Sequence, residues 1–187
     1  MLIGTHVYLK VIDKSDVEIV RAWKNSPDVY NYFANRDFIS DARQQEWYNS
    51  INKNSSSLYL IIYEKENDTP IGMTLLESIN SRNRNAIWGI YIGEMKFRKK
   101  IYATEATFLI LNYAYDYLNM LKISGNTLSN NERGRRFHEF IGFGEEATFH
   151  RHIYAEGKYL DLIWISMFLE NWESKKHKMK KYIEEYV

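Results

Sequence analysis

Cysteine is absent from the chain, which excludes disulfides, thiolate metal centres and a cysteine nucleophile. Proline occurs twice and glycine nine times in 187 residues, so there is little linker material, and no segment repeats. Neither sign of charge is in excess: 25 Lys and Arg against 24 Asp and Glu leave a formal net charge of +1. No global field therefore draws the protein to nucleic acid or to an anionic membrane, and neither is expected as a partner. No apolar run approaches the roughly 18 residues of a membrane span, and no secretory leader pattern opens the sequence. A cytoplasmic location is the expectation. His150 and His152 lie two apart on a predicted strand and share a face, but no third ligand accompanies them, so no metal is expected.

What remains is a hydrophobic fraction of 45%, enough for a substantial core in a single domain. That domain is placed at 1–169, followed by a helical tail at 170–187 whose basic run "KKHKMKK" reads as a solvated face. Tyrosine and tryptophan are plentiful, at 15 and five. Core packing or subunit contact accounts for most of them, and an aromatic-lined ligand pocket is the sharper reading.

Periodicity orders the elements. "THVYLKVI" (5–12) alternates as a strand, and Asp13 or Ser15 caps a helix reaching about Asn25. Ser26-Pro27-Asp28 opens a short helix carrying Val29, Tyr32 and Phe33. Ser40, with Gln44 close behind, opens another over 40–51. "SLYLIIYEK" (57–65) and "PIGMTLLESI" (70–79) flank a turn and form a hairpin, and "AIWGIYIG" (86–93) is a third strand. Residues 103–118 carry an apolar stripe of Ala103, Ala106, Ile110, Ala114 and Tyr117 at helical spacing. A strand at 121–128, a helix at 131–141 and two strands around Glu156-Gly157-Lys158 follow. This is an α+β pattern, a mixed and mostly antiparallel twisted sheet flanked by helices. If the strands at 86 and 121 are parallel, the helix between them is a right-handed crossover.

The stretch "FRKKIYATEA" (97–106) leads into the clearest helix. Unpaired N–H groups at a helix start favour an anion, and Lys96, Arg98, Lys99 and Lys100 add positive charge. Loops that wrap phosphates usually contain glycine, and this one has none. From its own residues it is either a phosphate loop without glycine or a basic turn capping an ordinary helix.

Taken with "GIYIG" (89–93) and "NNERGRRFHEFIGF" (130–143), this layout resembles the GNAT superfamily of acetyl-CoA-dependent N-acetyltransferases. The nearest branch is that of ribosomal-protein N-terminal and amino-sugar acetyltransferases. The resemblance implies acetyl-CoA as co-substrate. It places the cofactor at Tyr91 and Ile92 on the strand, at Arg98, Lys99, Lys100, Ile101, Tyr102, Ala103 and Thr104 around the helix start, and at Asn131. It also carries departures: Lys99 and Ile101 stand where glycines are common, and Ile87 where many relatives have a glutamate. His138 stands where a tyrosine donates a proton to the departing thiolate. His138 is therefore the candidate acid, as imidazolium, and Glu77 the candidate base. The implied activity is acetyl transfer to a primary amine of a small molecule, such as a nucleotide-linked amino sugar. A protein N-terminus, a polyamine or an aminoglycoside is an alternative acceptor, and a catalytically silent protein that binds acyl-CoA or a partner is the alternative from another class. The loops near 30–40, 78–85 and 146–158 are expected to build the acceptor pocket. The apolar edge Trp164, Ile165, Met167 and Phe168 is expected to meet a second subunit, giving a homodimer, or the C-terminal helix.

Overall fold

The computed structural model describes residues 1–186. Strands β1 (Leu2–Ile3), β2 (Val7–Val11), β3 (Leu58–Glu64), β4 (Thr69–Asn80) and β5 (Asn85–Ile92) pair antiparallel in succession. β6 (Lys122–Leu128) then runs parallel to β5, and β7 (Gly144–Ala155) and β8 (Lys158–Phe168) complete one sheet of order β1-β2-β3-β4-β5-β6-β8-β7. Helices α1 (Val17–Asn25), α2 (Pro27–Tyr30) and α3 (Asp41–Ile51) lie between β2 and β3. The crossover helix is α4 (Lys100–Asn112), α5 (Glu132–Ile141) follows β6, and α6 (Leu169–Glu184) ends the described chain.

Two apolar clusters sit on opposite faces of the sheet. Val20 and Trp23 of α1 pack with Tyr59, Ile61 and Met73. On the other face Ala106, Ile110 and Leu111 of α4 pack with Trp88, Ile123, Ile165 and Met167. α6 belongs to that second cluster, because Trp172 is fully buried and stacks on Tyr115 at 5.6 Å. β8 is thus an interior strand between β6 and β7, not an edge, and α6 lies over its Ile165 and Met167 side. Of the two expectations for this segment, contact with the C-terminal helix holds for Ile165 and Met167, and it is not a sheet edge.

Local chemistry explains most boundaries. Asp13 and Asp16 form a reciprocal capping box ahead of α1, and the Ser40 hydroxyl accepts from the Arg43 N–H at the start of α3. Gln44 does not complete a box with Ser40: it is buried and donates to the Val17 carbonyl at 3.2 Å. The β7–β8 turn has positive φ at Glu156 and Gly157, the geometry that matches the twist of a two-residue hairpin.

α4 begins at Lys100, three residues before the start of the apolar stripe, and passes into a π turn over Tyr113–Tyr117. The wider turn shifts the phase of the stripe. Tyr117 is therefore 75% exposed, while Tyr115 is buried and donates to the Met167 carbonyl at 2.7 Å. The helix is pinned to the β1–β2 turn by Glu105, whose buried carboxylate accepts from His6 and Val7 N–H groups at 2.7 and 2.9 Å. Hydrogen bonds to a charged group are worth about 1.5–3 kcal/mol each, which offsets the several kcal/mol needed to desolvate the carboxylate.

Candidate active site

The missing glycine has a geometric answer. From Glu94 to Lys99 the backbone stays at negative φ, with Arg98 at φ −73 and Lys99 at φ −86, and no residue of this stretch appears among the positive-φ positions. No left-handed turn is made here, so glycine is not required. The Ile101 side chain is 1% exposed and points into the core, so it does not obstruct an approaching ligand. Lys99 occupies the N-cap position and makes no side-chain cap. The N–H groups of Lys100 to Tyr102 in the first turn therefore have no intrahelical partner, and Ala103 is the first to bond back, to the N-cap Lys99.

The side chains of this loop are mostly engaged elsewhere. Arg98 donates to the carbonyls of Ile92 at 3.2 Å and Asp28 at 3.0 Å, tying the end of β5 to α2. Thr104 is buried and its hydroxyl donates to the Lys100 carbonyl at 2.8 Å, so that group is already engaged within the helix. Tyr102 packs edge-on against Phe97. Lys100 lies over the Phe140 ring, with Nζ 3.1 Å from the centroid, and desolvation lowers its pKa. What the helix start leaves unengaged is main chain.

Beside it the sheet opens. The parallel β5–β6 ladder has only the pairs Asn85–Lys122, Ala86–Ile123 and Ile87–Ser124. Beyond Ile87 the edge of β5 through Gly89, Tyr91 and Ile92 is left without a β6 partner. The Tyr91 side chain turns away from this gap to pack on Trp23 and Phe33, and burial raises its pKa. The Tyr91 main chain faces β4, in register with Met73, so what this end of β5 offers the gap is the main chain of Ile92. Asn131 caps α5, its Oδ1 accepting from Gly134 at 2.9 Å, and the absence of a Cβ at Gly134 permits that close approach.

His138 lies on α5, its ring edge-on to Trp88 at 5.8 Å and near Phe143. Desolvation lowers its pKa to about 4, so the imidazole is neutral near pH 7. The expected imidazolium donor is corrected to a neutral ring, with one N–H and one lone pair. Among the described residues, His138 Nδ1 and Trp88 Nε1 are buried without hydrogen-bond partners. They are two of seven such buried atoms among the described residues. Sequence reasoning missed Trp88, which reads there as an ordinary strand residue.

The opposite side of the gap carries Glu77. It pairs with Ile87 across β4 and β5, so its carboxylate stands one strand from the position where the resemblance implied a glutamate, on the same face. The ladder then bulges between Glu77 and Asn80, with Ser78 at φ 51. Glu77 accepts a hydrogen bond from the Tyr59 hydroxyl. Lys24 is near, its pKa lowered by desolvation against the opposing pull of Glu77, and its ammonium sits 4.3 Å over the Trp47 ring.

On the β8 surface away from α4 and α6, Leu162, Trp164, Ala147, Phe149 and His152 line an open groove of about 460 Å³, with the Lys122–Glu146 ion pair at one end. Of the loops expected to build the pocket, 146–158 lines this groove. The 30–40 loop reaches the β7–β8 turn through an Arg36–Glu156 pair at 3.2 Å, and 78–85 is not in the lining. His150 and His152 do not share a face. β7 bulges between Phe149 and Ile153, so His150 meets Asp161 at 3.2 Å while His152 enters the groove. Among the described residues no group of three or more metal-ligating side chains gathers, and no helix is long and apolar enough to cross a membrane.

A family model described as an acetyltransferase (GNAT) domain matches residues 6–144. The YdaF protein of Bacillus subtilis, named as a ribosomal N-acetyltransferase, is 30% identical over 105 residues, 56% of this chain and 57% of that protein. The spermidine N(1)-acetyltransferase of Vibrio cholerae is 23% identical over 160 residues, 85% of this chain and 91% of that protein. A crystal structure of spermidine N-acetyltransferase from Vibrio cholerae in complex with CoA and spermine superposes with a TM-score of 0.84 at 20% identity, covering 91% of this chain and 99% of that one. A GCN5-related N-acetyltransferase from Brucella melitensis reaches 0.81 at 22% identity, covering 97% and 84%. At these identities the structural likeness speaks for the fold.

Proposed function

Because the chain belongs to the GNAT acetyltransferase family and is on that ground an N-acetyltransferase, we propose that it transfers an acetyl group from acetyl-CoA to the amine of a small molecule across the β5–β6 opening. One observation carries this: the parallel ladder stops after Ile87 and Ser124, beside a helix start whose N–H groups have no side-chain cap. That pairing of an unzipped strand edge with an anion-binding helix terminus fits a cofactor with an amide-bearing arm and a pyrophosphate. The residues present fit acetyl-CoA, which supplies an activated acyl group when bound. First-turn N–H groups of α4 hold its phosphates, and Lys99 adds charge. The Ile92 main-chain N–H, which faces the gap, polarises the acyl carbonyl, and Asn131 flanks the arm.

The two titratable side chains divide the proton work. Glu77, on the face of Tyr59 and Trp47, takes the proton that the acceptor amine must lose. His138, on the α5 face, acts as a neutral imidazole whose N–H stabilises the departing thiolate. An aliphatic amine has a pKa near 10.4, so a base beside it is needed near neutrality.

The groove narrows the acceptor. Its only carboxylate, Glu146, is already paired with Lys122, and Trp164 and Phe149 offer ring faces. A compact amine with a ring body, such as a nucleotide-linked amino sugar, suits this lining better than a polycation, which needs unpaired carboxylates. The relatives named for spermidine make the polyamine the first comparison. Self-association as a homodimer is a further expectation, to be read from light scattering.

Calorimetry with acetyl-CoA, followed by thiol release over a panel of amino-sugar nucleotides, spermidine and N-terminal peptides, tests the proposal. Turnover is expected with an amino-sugar nucleotide. Preference for spermidine would overturn the acceptor class, and binding without release for any amine would favour the catalytically silent reading.

A further inference from the structure

α6 lies beyond the residues 6–144 that match the family model, yet its last turns stand beside the start of α4. The two helices run antiparallel. Trp172, in the first turn of α6, packs on Phe108 and Tyr115 near the far end of the α4 segment. The Ile183 carbonyl, near the end of α6, lies 3.4 Å from His6 Nε2. This direction brings Tyr182 to Lys100, the first residue of α4. Phe140 of α5 completes the group, its ring 5.3 Å from Tyr182 at an interplanar angle of 71°. Tyr186 extends it, 6.4 Å from Tyr182.

The two rings form an open notch, and the Lys100 ammonium occupies it, 3.1 Å from the Phe140 centroid and 5.4 Å from that of Tyr182. A cation on a ring face is held more weakly than one bonded to a phosphate oxygen. A phosphate at the α4 start would therefore draw Lys100 off the rings. The faces so uncovered are flat, apolar and half-buried, and a flat π-system fills them best.

Resting on the acetyl-CoA reading above, we propose that the C-terminal helix completes the nucleotide end of the cofactor site. Tyr182 stacks the purine face-on, Phe140, at 71° to that ring, meets the purine edge, and Lys100 exchanges the rings for the neighbouring phosphate. Tyr182 is then a cofactor-specificity residue supplied from outside the matched family domain.

Titration calorimetry on the full chain separates the halves of the ligand, using CoA, 3′,5′-ADP and 4′-phosphopantetheine as probes. Tyr182→Ala is expected to weaken CoA and 3′,5′-ADP by at least about fivefold, the lower end of the range for loss of one base–aromatic stack. Phosphopantetheine affinity should stay unchanged, and Tyr182→Phe should keep wild-type values, since the ring rather than the hydroxyl makes the contact. Unchanged CoA affinity in Tyr182→Ala overturns the inference while leaving the acetyl-CoA reading intact. An equal loss for all three probes, which reports a general disturbance of the fold, also overturns it. Wild-type protein that binds none of the three overturns both.

Discussion

The two sides of the β5–β6 opening are built from different materials. On the proposed reading the phosphate and pantetheine part of the cofactor side is mainly main chain: an uncapped helix start and a strand edge without a partner. The acceptor side is side chain: Glu77 under Tyr59, and a groove of Trp164, Phe149 and His152. A backbone site survives substitution as long as the local conformation is kept, which is why Lys99 and Ile101 stand where glycine is common without positive φ. A side-chain site changes character with each residue, so substrate choice resides on that side.

The largest effects are expected where side chains do chemistry. Glu77→Gln and His138→Ala should each lower kcat by about 10²–10³-fold while leaving acetyl-CoA affinity near wild type, a split readable by calorimetry and steady-state kinetics. With the His138 pKa lowered to about 4, kcat/KM should keep rising from pH 6 to 9 as the acceptor amine loses its proton. An imidazolium donor of ordinary pKa would instead impose a descending limb near 6.5.

Trp164→Ala sharpens the contrast at intermediate size. Removing the groove's main ring face should raise the acceptor KM about tenfold and leave the Kd of acetyl-CoA unchanged. The matching experiment on the cofactor side uses the first helical position, where proline is tolerated. Lys100→Pro and Lys100→Met both lose the ammonium, but only proline also removes an N–H. The proline variant should bind acetyl-CoA about ten- to 150-fold more weakly than the methionine variant, the range for one hydrogen bond to a charged group. Equal affinities would break the claim that main chain holds the phosphates.

The smallest expected effect concerns stability. His138 titrates near 6.5 when unfolded and at about 4 in the fold. Between those values the unfolded state binds more protons, so stability falls as pH drops through that window. His138→Phe should lose that part of the acid sensitivity, seen as a flatter dependence of the melting temperature from pH 7 to 4.

The same division decides how much the sequence reveals. Strand alternation and turn residues place the strands, their order and the crossover, because burial of one face leaves a periodic trace. Local periodicity cannot see the π turn that rotates Tyr117 outward, nor the β7 bulge that parts His150 from His152. Residue type alone does not report that Thr104 turns inward or that Arg98 clamps two carbonyls. The neutral state of His138 comes from Trp88 and Phe143, far from it in sequence or brought close by a loop. Trp88, Trp164, Tyr59 and Lys24 gain meaning only when the sheet sets them beside the gap.

Amide hydrogen exchange with and without acetyl-CoA tests the central claim most directly. If main chain forms the cofactor site, the cofactor should slow exchange in two separate segments, 86–93 on β5 and 98–104 at the start of α4, with little change on α3. Binding that leaves both segments at their unliganded rates would contradict the account.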